Sequence, residues 1–205
     1  MDEKCLFTVG HSLRTAEDFI ELLRANGVTA IADVRSSPYS QRVPHFNREE
    51  LTDLLRDAGI VYVFLGEELG ARRKEPFCYV DRKARYELIE QAPLFQHGLN
   101  RVRRGVTRSR IALMCAEKDP ATCHRAILVC KALRSEMSIR HIVARGSVES
   151  HEELEERLLQ IWGGRGQDLF QSHEERVEDA YRCQAEEIAY VVPTTAPADR
   201  SRDHD

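Results

Sequence analysis

The stretch Ile111-Ala112-Leu113-Met114-Cys115-Ala116-Glu117-Lys118-Asp119-Pro120-Ala121-Thr122-Cys123-His124-Arg125 decides the fold. Ile111 to Cys115 is an unbroken apolar run, the pattern of a strand buried on both faces. Asp119-Pro120 reads as an N-cap followed by proline at the first helical position. From Ala121 to Leu133 the residues Ile127, Leu128, Cys130 and Leu133 keep a helical spacing. Two cysteines, a glutamate, a histidine and an arginine thus crowd one strand-to-helix turn. Free N–H groups and the helix dipole favour anions and thiolates there.

Working outward, the same alternation recurs. Leu6 to Val9 reads as a first strand, ending in Gly10-His11-Ser12. Thr15 to Asp18 resembles a capping box ahead of a helix carrying Phe19, Leu22 and Leu23, which Gly27 ends. Val28 to Val34 is a second strand and Ile60 to Leu65 a third, with a helix capped at Asn47 and ended by Gly59 between them. A longer helical region, interrupted near Pro93, is expected from Arg82 to Arg103. Ile139 to Ala144 is the fifth strand, and Glu152 to Trp162 a final amphipathic helix.

The expected class is α/β: a single domain with a mainly parallel five-stranded sheet flanked by helices, plus an acidic C-terminal tail. Residues 1–145 form the core domain, 146–162 a helix packed on it, and 163–205 a partly disordered tail with one short helix around Glu174 to Ile188. Right-handed crossovers place every strand's carboxyl end on one edge, where such folds bind ligands.

Composition narrows the function. The 205 residues are 42% hydrophobic and 31% charged, ordinary for a globular chain. No apolar run reaches membrane-spanning length and the first residues are no signal peptide, so a cytoplasmic location without membrane contact is expected. Six cysteines at 5, 78, 115, 123, 130 and 183 then favour metal or thiol chemistry over a disulfide framework. Residues 1–145 hold 24 Lys+Arg against 19 Asp+Glu, whereas 146–205 hold 6 against 15. A mildly basic body is screened, or competed for, by an acidic tail.

At the carboxyl edge, Cys123 beside His124 and Arg125 is a candidate low-pKa nucleophile, with Cys115 as resolving partner or buried filler. His11, Glu117 and His124 are proton-transfer candidates, each with a bland use as a backbone-bonded or solvated group. Ser12, Arg14, Arg35, Arg42, Arg125 and Tyr39 are candidates for holding an anionic substrate. Asp33 pairing with Arg35 or Arg14 is the purely structural alternative. Cys115, Cys123 and His124 are the metal candidates, although their spacing is longer than a zinc knuckle's. No cofactor is required by these readings; zinc is the one left open.

Thr8-Val9-Gly10-His11-Ser12-Leu13-Arg14, then Asp33-Val34-Arg35-Ser36-Ser37-Pro38 with Ser40, Pro44 and Phe46, then Cys115-Ala116-Glu117 and Cys123-His124-Arg125 resemble the family called domain of unknown function 488. The resemblance covers roughly residues 6 to 145 and implies an α/β domain with a pocket, without a reaction. Where many members carry a Gly-Gly pair after strand three, this chain has Gly70-Ala71.

Three functions follow as expectations. The first is a thiol-dependent hydrolase or transferase acting on an anionic small molecule, nucleotide-like or nucleic acid. The second is a nucleic-acid-binding or repair-associated module contacting phosphates through Arg72-Arg73-Lys74 and Arg101, Arg103, Arg104, Arg108 and Arg110. The third is a zinc site of Cys115, Cys123 and His124. Gln167 to Phe170 also resembles a sliding-clamp peptide, one residue short. The oligomeric state is not legible.

Overall fold

The computed structural model describes residues 5–163 and 171–194. Gln167 to Phe170 and the Pro/Asp-rich end lie outside them. In chain order the elements begin with β1 (Cys5–Gly10), α1 (Ala16–Ala25), β2 (Ala30–Asp33), α2 (Arg48–Asp57), β3 (Val61–Phe64) and α3 (Gly66–Leu69). A hairpin of β4 (Tyr79–Val80) and β5 (Lys83–Ala84) leads to α4 (Tyr86–Glu90) and α5 (Pro93–Gly105). Then come β6 (Ile111–Cys115), β7 (Ser138–Ala144), β8 (Ser147–Ser150), α6 (His151–Trp162) and α7 (His173–Ile188).

All five expected strands are present and parallel, in the order β3-β2-β6-β1-β7. The sheet has a sixth member, because β8 turns back through Gly146 (φ 72°) and pairs antiparallel with β7. Phe7, Val9, Ile31, Ala112 and Met114 pack against α1 and α2 on one face. Leu6, Ala30, Ala32, Leu113 and Ile139 form the other core with α5, α6 and α7. Strands coated on both faces explain why their sequences read as continuous apolar runs. No helix among the described residues is long and apolar enough to cross a membrane.

Three local expectations are corrected. Asn47 makes no capping bond to α2; its Oδ1 accepts instead from the Ser40 amide (2.7 Å), tying down the loop before it. Residues 82 to 85 are not helical, because β4 and β5 turn through Asp81 (φ 48°) and Arg82 (φ 66°). The helix expected from Ala121 is broken. A 3-10 turn, Pro120–Thr122, is followed by Cys123 in extended conformation (φ −133°, ψ 135°), and the helical run opens at His124 with a π-helical stretch over Arg125–Cys130.

α7 is a full 16-residue helix that buries Val177, Ala180, Tyr181 and Gln184. Its acidic groups pair with the body: Glu186 with Lys83 and Arg85, Glu178 with Lys131 and Arg134. A buried polar chain fastens α6 and α7 to the sheet. Thr8 Oγ1 lies 2.8 Å from His141 Nδ1, His141 Nε2 lies 3.0 Å from His151 Nδ1, and His151 Nε2 lies 2.9 Å from the Tyr181 hydroxyl, which donates to Glu155. With each imidazole neutral, every donor finds one acceptor along this chain. Burial pushes His151 down to about 4, and burial with the neighbouring His151 and Arg125 pushes His141 well below the usual imidazole range.

The unfolded chain therefore takes up protons on these histidines near pH 6.5, whereas the folded chain keeps His151 neutral until about pH 4. Stability is unaffected above pH 6.5 and falls as pH drops from 6.5 toward 4, by an amount on the order of 3 kcal/mol for His151. Denaturant titrations at pH 7 and pH 5 test this. The pH 5 loss should shrink in His151→Gln, and an equal loss in both proteins would contradict the buried-neutral assignment.

Candidate functional site

Strand register brings the chemistry together. Gly10 of β1 sits opposite Cys115 of β6, and Asp33 of β2 sits opposite Met114. The loop after β6 then folds back over the edge, with His11 N–H donating to Cys115 O and Ser12 N–H to Ala116 O, both at 2.9 Å. Gly10 permits this approach because its α-carbon faces the Glu117 carbonyl with no room for a side chain.

Four side chains converge below that loop. One ligand atom each from Cys115, Glu117, Cys123 and His124 lies within 4.8 Å of the others, a group able to hold a metal ion. Cys115 Sγ is 3.7 Å from His124 Nδ1, and Cys123 Sγ is 3.0 Å from Glu117 Oε2. His124 Nε2 lies 3.0 Å from the Val34 carbonyl, which can only accept, so Nε2 carries a proton and Nδ1 faces the thiols. Cys123 stands just before the helical run, its carbonyl accepting from Ala126 and Ile127 and its Sγ lying 3.5 Å from the Arg125 amide.

The electrostatics separate the two thiols. For Cys123 burial pushes upward, but the Cys115 hydrogen bond and the charges of Arg125 and His124 outweigh it and hold the thiol well below its usual range. Cys115, donating to Cys123 and fully buried, is pushed well above. Burial and the Cys123 charge raise Glu117. His124 is raised, because contact with Cys123 overcomes its burial.

A cleft of about 330 Å³ opens onto this cluster. Cys115, Glu117 and His124 line it, with Arg35 and Tyr39 from the expected set; Cys123 does not, and is 1% exposed. His11 lies beside the cleft, its Nδ1 3.0 Å from Ser12 O and its Nε2 3.3 Å from Arg35 Nη1, stacked on Phe46 and pushed down to about 4 by burial and the Arg35 charge. It is therefore neutral near pH 7 with both nitrogens engaged.

The arginines divide. Arg35 forms a buried two-pronged pair with Asp33, to which Tyr62 also donates. Arg125, fully buried, donates to the carbonyls of Glu117 (2.7 Å) and Lys118 (3.1 Å) and so holds the loop rather than facing the cleft. Arg14 holds the carbonyls of Gly10 and Val143. Arg42 is exposed in the 35–46 loop, away from the cleft lining. Ser12 (φ 52°) turns the chain there. Of the arginines considered for nucleic-acid contact, Arg73 is buried against Glu67 O and Glu68 O, Arg101 pairs with Glu68 and Arg103 with Glu136.

The family described as domain of unknown function DUF488 matches residues 15–132. The chain belongs to this family. No curated protein and no solved structure matches it. The DUF488 region carries the whole metal-capable cluster, but not the whole cleft, whose lining includes Ile188 and Tyr190. Those two residues and Tyr86 were not singled out from the sequence, whereas Arg72, read there as a phosphate contact, does line the cleft. Gly70, where many members of the family carry a Gly-Gly pair, packs its α-carbon on Gly66 O and Ser36 Oγ, and Ala71 fits the buried cleft wall.

Proposed function

We propose that Cys115, Cys123 and His124 hold one zinc ion and that the domain is a zinc-dependent hydrolase with Glu117 as its proton carrier. The observation that carries this reading is His124. Its Nδ1 lies 3.7 Å from the Cys115 sulfur, within the group of four donors, while its Nε2–H is fixed by the Val34 carbonyl, the outer-shell bond that zinc-bound histidines make. Two thiolates and an imidazole suit zinc, and a site with three such ligands beside a cleft would suit a catalytic rather than a closed structural role.

Zinc held there would supply an activated water. Glu117, whose carboxyl is raised, would accept a proton on its carboxylate and return it to the leaving group. Zinc nucleobase deaminases use similar parts: two cysteines and a third ligand, with a non-ligating glutamate two residues after one ligand and a proline ahead of a cysteine. Here Cys115-Ala116-Glu117 and Pro120-Ala121-Thr122-Cys123-His124 present those donors at compressed spacing. The likeness is one of donor chemistry alone.

Native mass spectrometry on gently purified protein tests the claim. The native mass should exceed the denatured mass by one zinc ion, and the excess should vanish in Cys123→Ser. A native mass without metal, combined with rapid alkylation of Cys123, would replace this reading with the thiol enzyme. The lowered Cys123 thiol favours that second reading, with Cys115 then as the resolving thiol.

A further inference from the structure

We infer that the cleft binds a nucleoside monophosphate, its phosphate held by Arg72 and its base stacked against Tyr190. This rests on the proposed hydrolase reading for the identity of the working cleft, but binding itself does not need the metal. At about 330 Å³ the cleft suits one small molecule rather than a polymer. Its two guanidinium groups differ. Arg35 is neutralised by Asp33 at 2.6 Å, whereas no carboxylate among the described residues pairs with Arg72. The Arg72 guanidinium carbon lies over the Tyr190 ring, 4.8 Å from its centroid. A guanidinium stacked in this way keeps its in-plane donors for a phosphate.

The stacking wall is built, not incidental. Tyr190 O accepts from the Ala84 amide at 2.8 Å, Val192 N–H donates to Arg82 O at 2.9 Å, and Val191 bridges Lys83. The segment after α7 thus adds an extended strand to the β4–β5 hairpin and holds Tyr190 at the cleft. Deeper in, Tyr86 is 5% exposed, lines the same cleft and has no hydrogen-bond partner for its hydroxyl among the described residues. Its hydroxyl is placed to donate to a ligand acceptor in the cleft. An aromatic ring, an anion and a buried acceptor are together what a nucleotide presents. Tyr190 lies outside the residues that match the family, so base preference is a property of this chain rather than of the shared domain.

Isothermal titration with AMP, CMP, GMP and UMP tests this, with the matching nucleosides, ribose 5-phosphate and a mixed oligonucleotide for comparison. At least one nucleotide should bind on the order of tenfold more tightly than its nucleoside and than ribose 5-phosphate. Arg72→Gln should erase the advantage over the nucleoside, and Tyr190→Leu the advantage over ribose 5-phosphate, both with unchanged metal content. Absence of binding by all four nucleotides at millimolar concentration overturns the inference, as does wild-type binding by both variants or preference for the oligonucleotide. Metal content of the same sample keeps the two claims apart. Zinc present without nucleotide binding sinks this inference alone, whereas nucleotide binding by a protein that never holds zinc sinks only the hydrolase.

Discussion

Asp33→Ala is expected to cost about 3–5 kcal/mol of folding stability, the range for stranding a buried charge. Asp33 is fully buried and accepts from Arg35 Nε, Arg35 Nη2, the Arg35 amide and the Tyr62 hydroxyl. Without it the Arg35 guanidinium keeps, among the described residues, only the 3.3 Å contact to His11, in a site where its side chain is 6% exposed. A domain of this kind has about 5–15 kcal/mol in total, so the variant should melt roughly 10 °C lower. The double variant Asp33→Leu with Arg35→Met should recover most of the loss, because the pair is then replaced by apolar groups. Equal destabilisation of single and double variants would show that the loss lies in packing and not in charge.

Gly10→Ala is the second large effect, expected at about 3–5 kcal/mol together with loss of metal binding. An added Cβ would overlap the Glu117 carbonyl oxygen outright and lie 2.8 Å from its carbon. That carbonyl cannot retreat freely, because Arg125 holds it at 2.7 Å. Relief requires the 116–118 loop to lift, which breaks a charge-assisted hydrogen bond and carries Glu117 away from Cys123. Gly59→Ala is the control: φ is 74° but nothing lies within 4 Å, so only the backbone preference of about 1 kcal/mol is lost. Comparable denaturation midpoints for the two variants would refute the steric argument.

The five parallel strands were legible because burial on both faces leaves an apolar run in the sequence. β8 was not: Ser147-Val148-Glu149-Ser150 is a polar edge strand, recruited by the turn at Gly146 and the preceding strand. The β4–β5 hairpin escaped because its strands are two residues long and its turn uses Asp81 and Arg82 instead of glycine. Cys115, Glu117, Cys123 and His124 could be named from sequence, since one turn carries them all. Which thiol faces the cleft could not, because the break in the helix at extended Cys123, which leaves Cys115 but not Cys123 on the wall, is set by tertiary packing. Arg125 illustrates the same limit. As an arginine after a cysteine it reads as an anion ligand, yet its partners are carbonyls of a loop whose path only the tertiary structure defines. Tyr86 and Tyr190 reach the cleft from elements more than a hundred residues apart, a juxtaposition that no local pattern encodes.

The most direct test of the account is X-ray absorption at the zinc edge on protein purified without added metal. The predicted spectrum has two sulfur ligands at about 2.3 Å and nitrogen or oxygen ligands at about 2.0–2.1 Å. Cys115→Ser should remove one sulfur. A protein with no stoichiometric metal, or one whose metal carries no sulfur ligand, would contradict the central claim.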